Sequence, residues 1–197
     1  RQLSGNLTFE KQGPGTLFYE ARLAYAPARL PEAPLERGFS LQKSIRRVDL
    51  GSLPSALAAP FDPAPPPASF QGGDLVLVDV VVGAPTLRHF VVVEDPLPAG
   101  FEAVDTSLAT TSSALDVSSV GSDADTASGF QTSWFRQELR DDRVLFFVDS
   151  MPPGLYRYRY LARATALGRF VVPPTRAEEM YQPEVFGRTA ATTLEIR

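Results

Sequence analysis

The alternation of apolar and polar residues predicts that this chain folds mainly into β-strands. The clearest example lies between residues 155 and 164, where tyrosine and arginine take turns at successive positions. Successive side chains of a strand point to opposite faces of a sheet, so each residue type should occupy one face. One face would carry Tyr156, Tyr158 and Tyr160, and the other Arg157, Arg159 and Arg163. We expect the arginine face to be exposed to solvent; a docking surface for an acidic neighbouring domain is the alternative.

Other segments show the same alternation or are apolar throughout, a pattern typical of strands buried on both faces. The predicted strands span residues 16–26, 39–48, 74–82, 87–93, 101–104, 130–139, 144–148, 155–164, 169–172 and 190–196. Turns rich in glycine, proline and aspartate separate them, and no segment combines a helical period with caps. This order of short strands predicts an all-β fold, an antiparallel two-sheet β-sandwich with immunoglobulin-like or fibronectin-like architecture.

Three stretches lack the apolar pattern of a strand. Residues 27–34 are rich in proline and are predicted to separate the first strand from the rest. Residues 53–67 are richer still in proline and alanine, which favours an extended, irregular segment. Residues 107–129 consist mainly of serine, threonine, alanine and aspartate, and their few large apolar side chains predict a long loop.

A fourth segment, residues 175–189, follows Pro173–Pro174 and is predicted to be an irregular loop before the last strand. Proline cannot donate a hydrogen bond to a neighbouring strand, so the pair should end the preceding strand. The loop carries Met180, Tyr181 and Phe186 among charged residues, which is unusual for a plain solvated turn. These side chains should therefore pack against something. A small satellite core beneath the loop is the simplest account, and a contact with another domain is the alternative.

Composition excludes several functions. The 197 residues carry a net charge of −4 at neutral pH and give no sign of the basic stripe that binds nucleic acid. The chain contains no cysteine, which excludes disulfides, thiolate metal sites and a cysteine nucleophile within it. No apolar run approaches the length of a membrane-spanning helix, so we expect no direct membrane insertion. The first residue is Arg1 rather than methionine, and we expect a piece of a longer protein.

No set of residues has the arrangement of an active site or a metal site, so we expect neither an enzyme nor a bound cofactor. His89 is the single histidine and lies within an apolar strand, where a structural role is the simpler interpretation. Asp141 and Asp142 fall at a predicted hairpin turn, which aspartate favours. Glu178 and Glu179 are adjacent, and adjacent side chains on an extended chain diverge, so solvated charges are expected there.

Several longer motifs resemble one known family. The segments are 91–102 (VVVEDPLPAGFE), 140–144 (RDDRV), 160–164 (YLARA) and, after the proline pair, 179–189 (EMYQPEVFGRT). On these motifs, residues 38–197 resemble the C-terminal macroglobulin-like domain of bacterial alpha-2-macroglobulins. Residues 1–30 resemble the closing strands of the CUB-like domain that precedes it, and residues 31–37 would form the linker.

The resemblance implies a structural and regulatory β-sandwich module of a large periplasmic protease trap. In that family a protease cleaves a bait region, the molecule rearranges, and a Cys–Gln thioester becomes exposed and captures the protease covalently. The implied partners are the thioester and CUB-like domains of the parent chain and, through the full-length protein, target proteases. An inner-membrane anchor at the N-terminus of a parent lipoprotein is a further option. The alternative function is an adhesion or ligand-binding module of a bacterial cell-surface protein.

The resemblance also assigns roles to particular residues. In thioester-bearing relatives, a Met-Tyr pair on the loop after the proline pair covers the thioester before activation, and the matching residues are Met180 and Tyr181. Pro174 and Pro183 would stiffen this loop by fixing φ, and Phe186 would anchor it. We therefore expect a thioester-shielding loop at Met180 and Tyr181, supported by the other three residues.

Overall fold

Strands dominate the computed structural model, which describes residues 8–21, 30, 33–64, 66–67, 69–105, 129–131 and 134–197. These residues contain thirteen strands and one short helix. The strands are β1 (Leu35–Arg37), β2 (Ser40–Val48), β3 (Ser69–Phe70), β4 (Leu75–Ala84), β5 (Arg88–Pro96), β6 (Phe101–Ala103), β7 (Arg136–Leu139), β8 (Arg143–Met151), β9 (Gly154–Ala164), β10 (Gly168–Val172), β11 (Arg176–Glu179), β12 (Gln182–Arg188) and β13 (Thr192–Ile196), and the helix is α1 (Leu53–Ala58). The predicted all-β class is confirmed.

Two antiparallel sheets carry most of the strands. One has six strands in the order β1-β12-β11-β5-β8-β7, and the other has four in the order β2-β4-β9-β6. A three-stranded sheet, β10-β13-β3, adds side chains to the same core, including Phe70, Leu194 and Ile196. Among the named strands of the described segments, only β3 and β13 pair in parallel. The antiparallel sandwich predicted from the sequence is confirmed, with the small third sheet as an addition.

The core lies between the two large sheets and follows from the alternation along their strands. Tyr156, Tyr158 and Tyr160 of β9 all point into it, and each is 2% exposed. The ring of Tyr158 lies 5.0 Å from that of Phe146 on the opposite sheet and 5.3 Å, edge to face, from that of Phe135. Aromatic pairs with these geometries bury large areas and add directional attraction. The predicted tyrosine face is confirmed.

The outer face of β4 is also buried, because helix α1 covers it. Leu53 of the helix packs with Leu75 and Leu77 of β4 in a second apolar cluster, which explains why β4 is apolar along its length. The prediction of an extended segment over 53–67 was wrong for its helical part, since six residues are too few to display a helical period. Pro54, in the first turn, is compatible with a helix because its missing N–H would lack an intrahelical partner there.

The arginine face of β9 is largely buried, which corrects the prediction for two of its three members. Arg157 and Arg159 are 5% and 2% exposed and donate hydrogen bonds to carbonyl oxygens at the C-terminal end of helix α1. Such carbonyls lack partners within the helix, so the arginines satisfy them. Arg157 also donates a hydrogen bond to the buried carboxylate of Asp79, in this same domain, at 2.8 Å. Arg163 alone is exposed as expected.

The N-terminal part of the chain departs from the predictions in two places. Residues 16–21 of the predicted strand 16–26 are exposed and form no strand, and the rest of that segment lies outside the described residues. Leu35–Arg37, predicted as part of the linker, form strand β1 and pair with β12. This partner is distant in sequence, so no local pattern reveals the pairing. Nearly all of the predicted loop 107–129 also lies outside the described residues.

Candidate functional site

The segment predicted as an irregular loop, residues 175–189, forms a β-hairpin instead. Strands β11 and β12 pair antiparallel, and Met180 and Tyr181 form the turn between them. The pairing register shifts between Glu178 and Glu179, so regular alternation is lost and the sequence pattern hides the strands. The two residues expected to shield a thioester therefore lie at the tip of a hydrogen-bonded hairpin.

The hairpin tip presents apolar surface to solvent. Met180 is 41% exposed and Tyr181 is 78% exposed. Tyr181 meets Phe90 of β5 edge to face, with ring centroids 5.2 Å apart and an angle of 88° between the ring planes. The backbone N–H of Met180 donates a hydrogen bond to the carbonyl oxygen of Phe90 at 2.9 Å. Phe90 is itself 46% exposed, and we call Phe90, Met180 and Tyr181 together the tip patch.

Phe90 is the member of the tip patch that sequence reasoning missed. Its backbone φ is +51°, in the left-handed region, and no local pattern in the sequence indicates this. The sequence offers no signal for it, because residues 90–93 are a continuous apolar run that does not separate inward from outward positions. In the structure Val91 and Val93 are fully buried, whereas Phe90 is on the outward face. An aromatic residue at an outward position is a candidate contact site.

The base of the hairpin is bonded to the protein core. Thr189 donates its N–H to the carbonyl of Thr175 at 3.0 Å, and its hydroxyl oxygen accepts the N–H of Thr175 at 2.9 Å. The hydroxyl of Thr175 donates to the buried carboxylate of Asp95 at 2.7 Å. Asp95 also accepts hydrogen bonds from Lys43 at 2.6 Å and Tyr160 at 2.7 Å. Burial, with the charge of Asp95, raises the pKa of Tyr160 well above its usual value. These bonds fix where the hairpin leaves the sandwich.

Glu178 and Glu179 lie on opposite faces of β11, and only Glu178 is partly exposed to solvent. Glu179 is buried and accepts a hydrogen bond from the backbone N–H of His89 at 3.2 Å. A guanidinium nitrogen of Arg88 lies 4.0 Å from the same carboxylate oxygen. The prediction of a solvated charge was therefore wrong for Glu179, which connects the hairpin to β5. Glu178 is partly exposed and accepts a hydrogen bond from Arg176 at 2.6 Å.

The three residues predicted to support the loop occupy different places. Pro174 is partly exposed and precedes the hairpin. Pro183 lies near the start of β12, before the part that pairs with β1, so its missing N–H breaks no bond on that side. Phe186 is partly exposed on β12, with the guanidinium groups of Arg176 and Arg37 at 4.1 Å and 5.9 Å from its ring centre. Phe186 thus packs between charged side chains of β11 and β1.

Metal ligation is not indicated in the part of the chain that the structure describes. Those residues contain no group of three or more histidine, cysteine, aspartate or glutamate side chains that could hold a metal ion. Asp141 and Asp142 form the predicted turn, which the Arg140 N–H closes on the Arg143 carbonyl at 2.9 Å. A hydrogen bond from Arg143 lowers the pKa of Asp142. No helix in the described segments is long and apolar enough to span a membrane.

Comparison with known protein families identifies the domain. The family described as Bacterial Alpha-2-macroglobulin MG10 domain matches residues 38–184. The chain belongs to this family. The match includes all three residues of the tip patch, so the patch is part of the MG10 domain.

Individual relatives match nearly the whole chain. The Alpha-2-macroglobulin homolog of Nostoc sp. is 31% identical over 202 residues, 97% of this chain and 9% of that protein. Circularly permutated Ras protein 2 of Dictyostelium discoideum is 28% identical over 183 residues, 93% of this chain and 4% of that protein. The structure of Escherichia coli alpha-2-macroglobulin activated by porcine elastase matches at 26% identity and a TM-score of 0.65, over 87% of this chain and 14% of that chain. The MG10 chain thus corresponds to a small part of each relative.

Proposed function

We propose that this MG10 domain is the C-terminal structural and regulatory module of a bacterial alpha-2-macroglobulin that traps proteases, and that Met180 and Tyr181 shield the thioester of a neighbouring domain. The observation that carries the proposal is the hairpin tip, where these two apolar side chains project into solvent. The chain contains no cysteine, so the thioester would belong to another domain of the parent protein.

An apolar lid, formed by the side chains of Met180 and Tyr181, suits the chemistry of a thioester. Water hydrolyses thioesters, so an intact one needs a surface that excludes water until the protease is captured. Tyr181 offers a flat aromatic ring, and Met180 offers an unbranched, polarizable side chain that adapts to an irregular surface. Because Tyr181 is 78% exposed and Met180 is 41% exposed, another domain could still bury much of both.

The attachment of the hairpin bears on how the lid would open. The base is bonded to the buried Asp95 through Thr175, and the tip is bonded to β5 through the N–H of Met180. A loop movement that lifted the tip alone would break the second of these bonds. We therefore infer that the whole MG10 domain moves away from the thioester domain after bait cleavage and carries the hairpin with it.

The proposal also defines partners and location. The direct partners are the thioester and CUB-like domains of the parent chain, with residues 1–30 as the end of the CUB-like domain and a linker that ends before strand β1. Proteases are partners of the full-length protein. The domain acts by shielding a reactive group and not by catalysis, and it needs no cofactor for this. The proposed location is the periplasm, where an inhibitor would meet incoming proteases.

Site-specific cross-linking tests the contact between the lid and the thioester domain. A photoreactive phenylalanine analogue replaces Tyr181 in the full-length protein and, as a control, replaces Leu167, which is 69% exposed in the turn between β9 and β10. We expect illumination to join position 181 to the thioester domain before protease treatment and not after it. Position 167 should give no such product. A full-length protein in which position 181 never reaches the thioester domain would contradict the proposal.

A further inference from the structure

The backbone of Phe90 adopts a conformation that large side chains normally avoid. Its φ of +51° lies in the left-handed region, where the Cβ atom crowds a neighbouring carbonyl. Among the residues that the structure describes, no other non-glycine residue does so. Such strain persists only where the surrounding structure enforces it, and it is concentrated at functional sites. The contacts of Phe90 indicate what this strain serves.

Phe90 contacts both residues of the hairpin turn. Its carbonyl oxygen accepts the N–H of Met180 at 2.9 Å, which extends the β5–β11 pairing past the Val91–Glu179 pair. Its ring lies edge to face with Tyr181, at 5.2 Å and 88°. This is a favoured and directional arrangement of aromatic rings. One strained residue therefore contacts the turn through its backbone and through its side chain.

The exposure of Phe90 argues against a role in the core of the domain. The ring is 46% exposed, whereas Val91 and Val93 beside it are fully buried. Phe90 is also missing from both clusters of buried apolar residues found in the described segments. An aromatic side chain held at a strained and exposed position does not fill the sandwich, so its ring is free to serve the tip patch.

We propose that Phe90 is a positioning residue for Tyr181 and the third apolar side chain of the lid. The left-handed backbone sets the ring of Phe90 beside the hairpin, where the edge-to-face contact restricts the orientations of the Tyr181 ring. Two aromatic rings and one thioether then form a continuous apolar surface suited to covering a reactive acyl group. The lid role of Phe90 rests on the proposed function, whereas its positioning of Tyr181 does not.

Two substitutions separate the ring of Phe90 from its backbone. Glycine adopts a positive φ without strain, so Phe90→Gly removes the ring and leaves the backbone of the hairpin in place. Phe90→Leu keeps apolar bulk but has no ring. Leu167→Gly is the matched control, because Leu167 is an exposed apolar residue in another turn.

NMR spectra of this chain test the positioning role. Both Phe90 variants are expected to abolish the ring-current shift of the Tyr181 ring protons, and Leu167→Gly is expected to leave it unchanged. The dispersion of the remaining signals reports whether each variant is folded. Unchanged Tyr181 signals in folded Phe90→Gly protein would overturn the positioning role. If Phe90→Gly fails to fold, unchanged Tyr181 signals in folded Phe90→Leu protein would overturn the positioning role instead.

The rate of methylamine uptake by the full-length protein without protease tests the lid role. We expect Phe90→Gly to raise this rate, but less than Tyr181→Ala, and Phe90→Leu to fall between Phe90→Gly and the wild type. A wild-type rate in Phe90→Gly beside a raised rate in Tyr181→Ala overturns the lid role of Phe90 and leaves the proposed function intact. Wild-type rates in both Phe90→Gly and Tyr181→Ala overturn the proposed function and the lid role of Phe90 together. The NMR spectra then test only whether Phe90 positions Tyr181.

Discussion

Arg157 donates a hydrogen bond from Nε to Oδ1 of Asp79 at 2.8 Å, and the two side chains are 2% and 0% exposed. Arg46 binds the other carboxylate oxygen at 2.7 Å. The two arginines also donate to the carbonyls of Ala59 and Ala56, at the end of helix α1. This charged cluster attaches the helix to the outer face of β4 and β9.

Removing the carboxylate from this cluster should destabilise the domain severely. Asp79→Ala removes the buried carboxylate that Arg157 and Arg46 share, and we expect the free energy of unfolding to fall by about 3–5 kcal/mol. The control is Glu138→Gln, which weakens partly exposed pairs with Arg136 and Arg140 and should cost less than about 1 kcal/mol. Urea denaturation followed by circular dichroism measures both. Equally small losses in the two variants would show that the cluster adds little stability.

Leu53 should be the main apolar attachment of helix α1. It is 1% exposed and packs in the cluster with Leu75 and Leu77, so Leu53→Ala leaves a cavity and should cost about 2–5 kcal/mol. Leu50→Ala, at a residue 50% exposed just before the helix, should change stability by no more than about 0.5 kcal/mol. Both values come from urea unfolding curves. A loss at Leu53 no larger than that at Leu50 would mean that the helix is not held by this contact.

The contact between Phe90 and Tyr181 should be measurable but small. A double-mutant cycle with alanine at both positions isolates their coupling, which we expect to be about 0.5 kcal/mol, because neither ring is buried. Tyr181→Ala alone should cost much less than Tyr158→Ala, a core truncation expected to cost about 3–5 kcal/mol. If Tyr181→Ala destabilised the chain as much as Tyr158→Ala does, Tyr181 would be a structural residue and not a lid.

Stability should fall at alkaline pH because of Tyr158 and Tyr160. Burial raises the pKa of both hydroxyls, and Asp95 raises that of Tyr160 further. Tyrosine in the unfolded chain ionises at about pH 10. Above that pH the unfolded state releases protons that the native state retains, so unfolding becomes more favourable. This contribution to stability is complete below about pH 10 and is lost as the pH rises further.

Urea midpoints measured between about pH 8 and about pH 11 test this dependence. We expect the wild-type midpoint to decline over the upper part of the range. Tyr160→Phe removes one of the tyrosine hydroxyls whose pKa is raised by burial, so its midpoint should decline less steeply, even if its starting value is lower. A wild-type midpoint that is constant with pH, or the same decline in the variant, would contradict the assignment of the raised pKa.

The features that could be predicted from the sequence are those set by neighbouring residues. Alternation over a few positions determines which side chains share a face of a strand, and it correctly placed Tyr158 and Tyr160 on one face, which the structure shows to be buried. The resemblance to macroglobulin-like domains drew on longer motifs and led to the hairpin tip at Met180 and Tyr181. The family was confirmed, whereas the shielding role of these two residues remains a proposal.

The features that were missed depend on contacts between distant parts of the chain. The buried Arg157 pairs with Asp79, 78 positions away, and the buried Arg159 donates to the carbonyl of Leu57, 102 positions away. Alternation along the strand, taken alone, therefore predicted that both arginines face solvent. The hairpin was missed because its register shifts beside Glu179, and the backbone of Phe90 is set by its tertiary surroundings.

The rate of methylamine uptake by the full-length protein, measured without protease, tests the shielding claim most directly. The double variant Met180→Ala/Tyr181→Ala removes both side chains of the turn, and Leu167→Ala removes an exposed apolar side chain from another turn. If Met180 and Tyr181 exclude solvent and small amines from the thioester, the double variant should react several-fold faster than the wild type, and Leu167→Ala should react at the wild-type rate. A double variant that takes up methylamine at the wild-type rate would contradict the account.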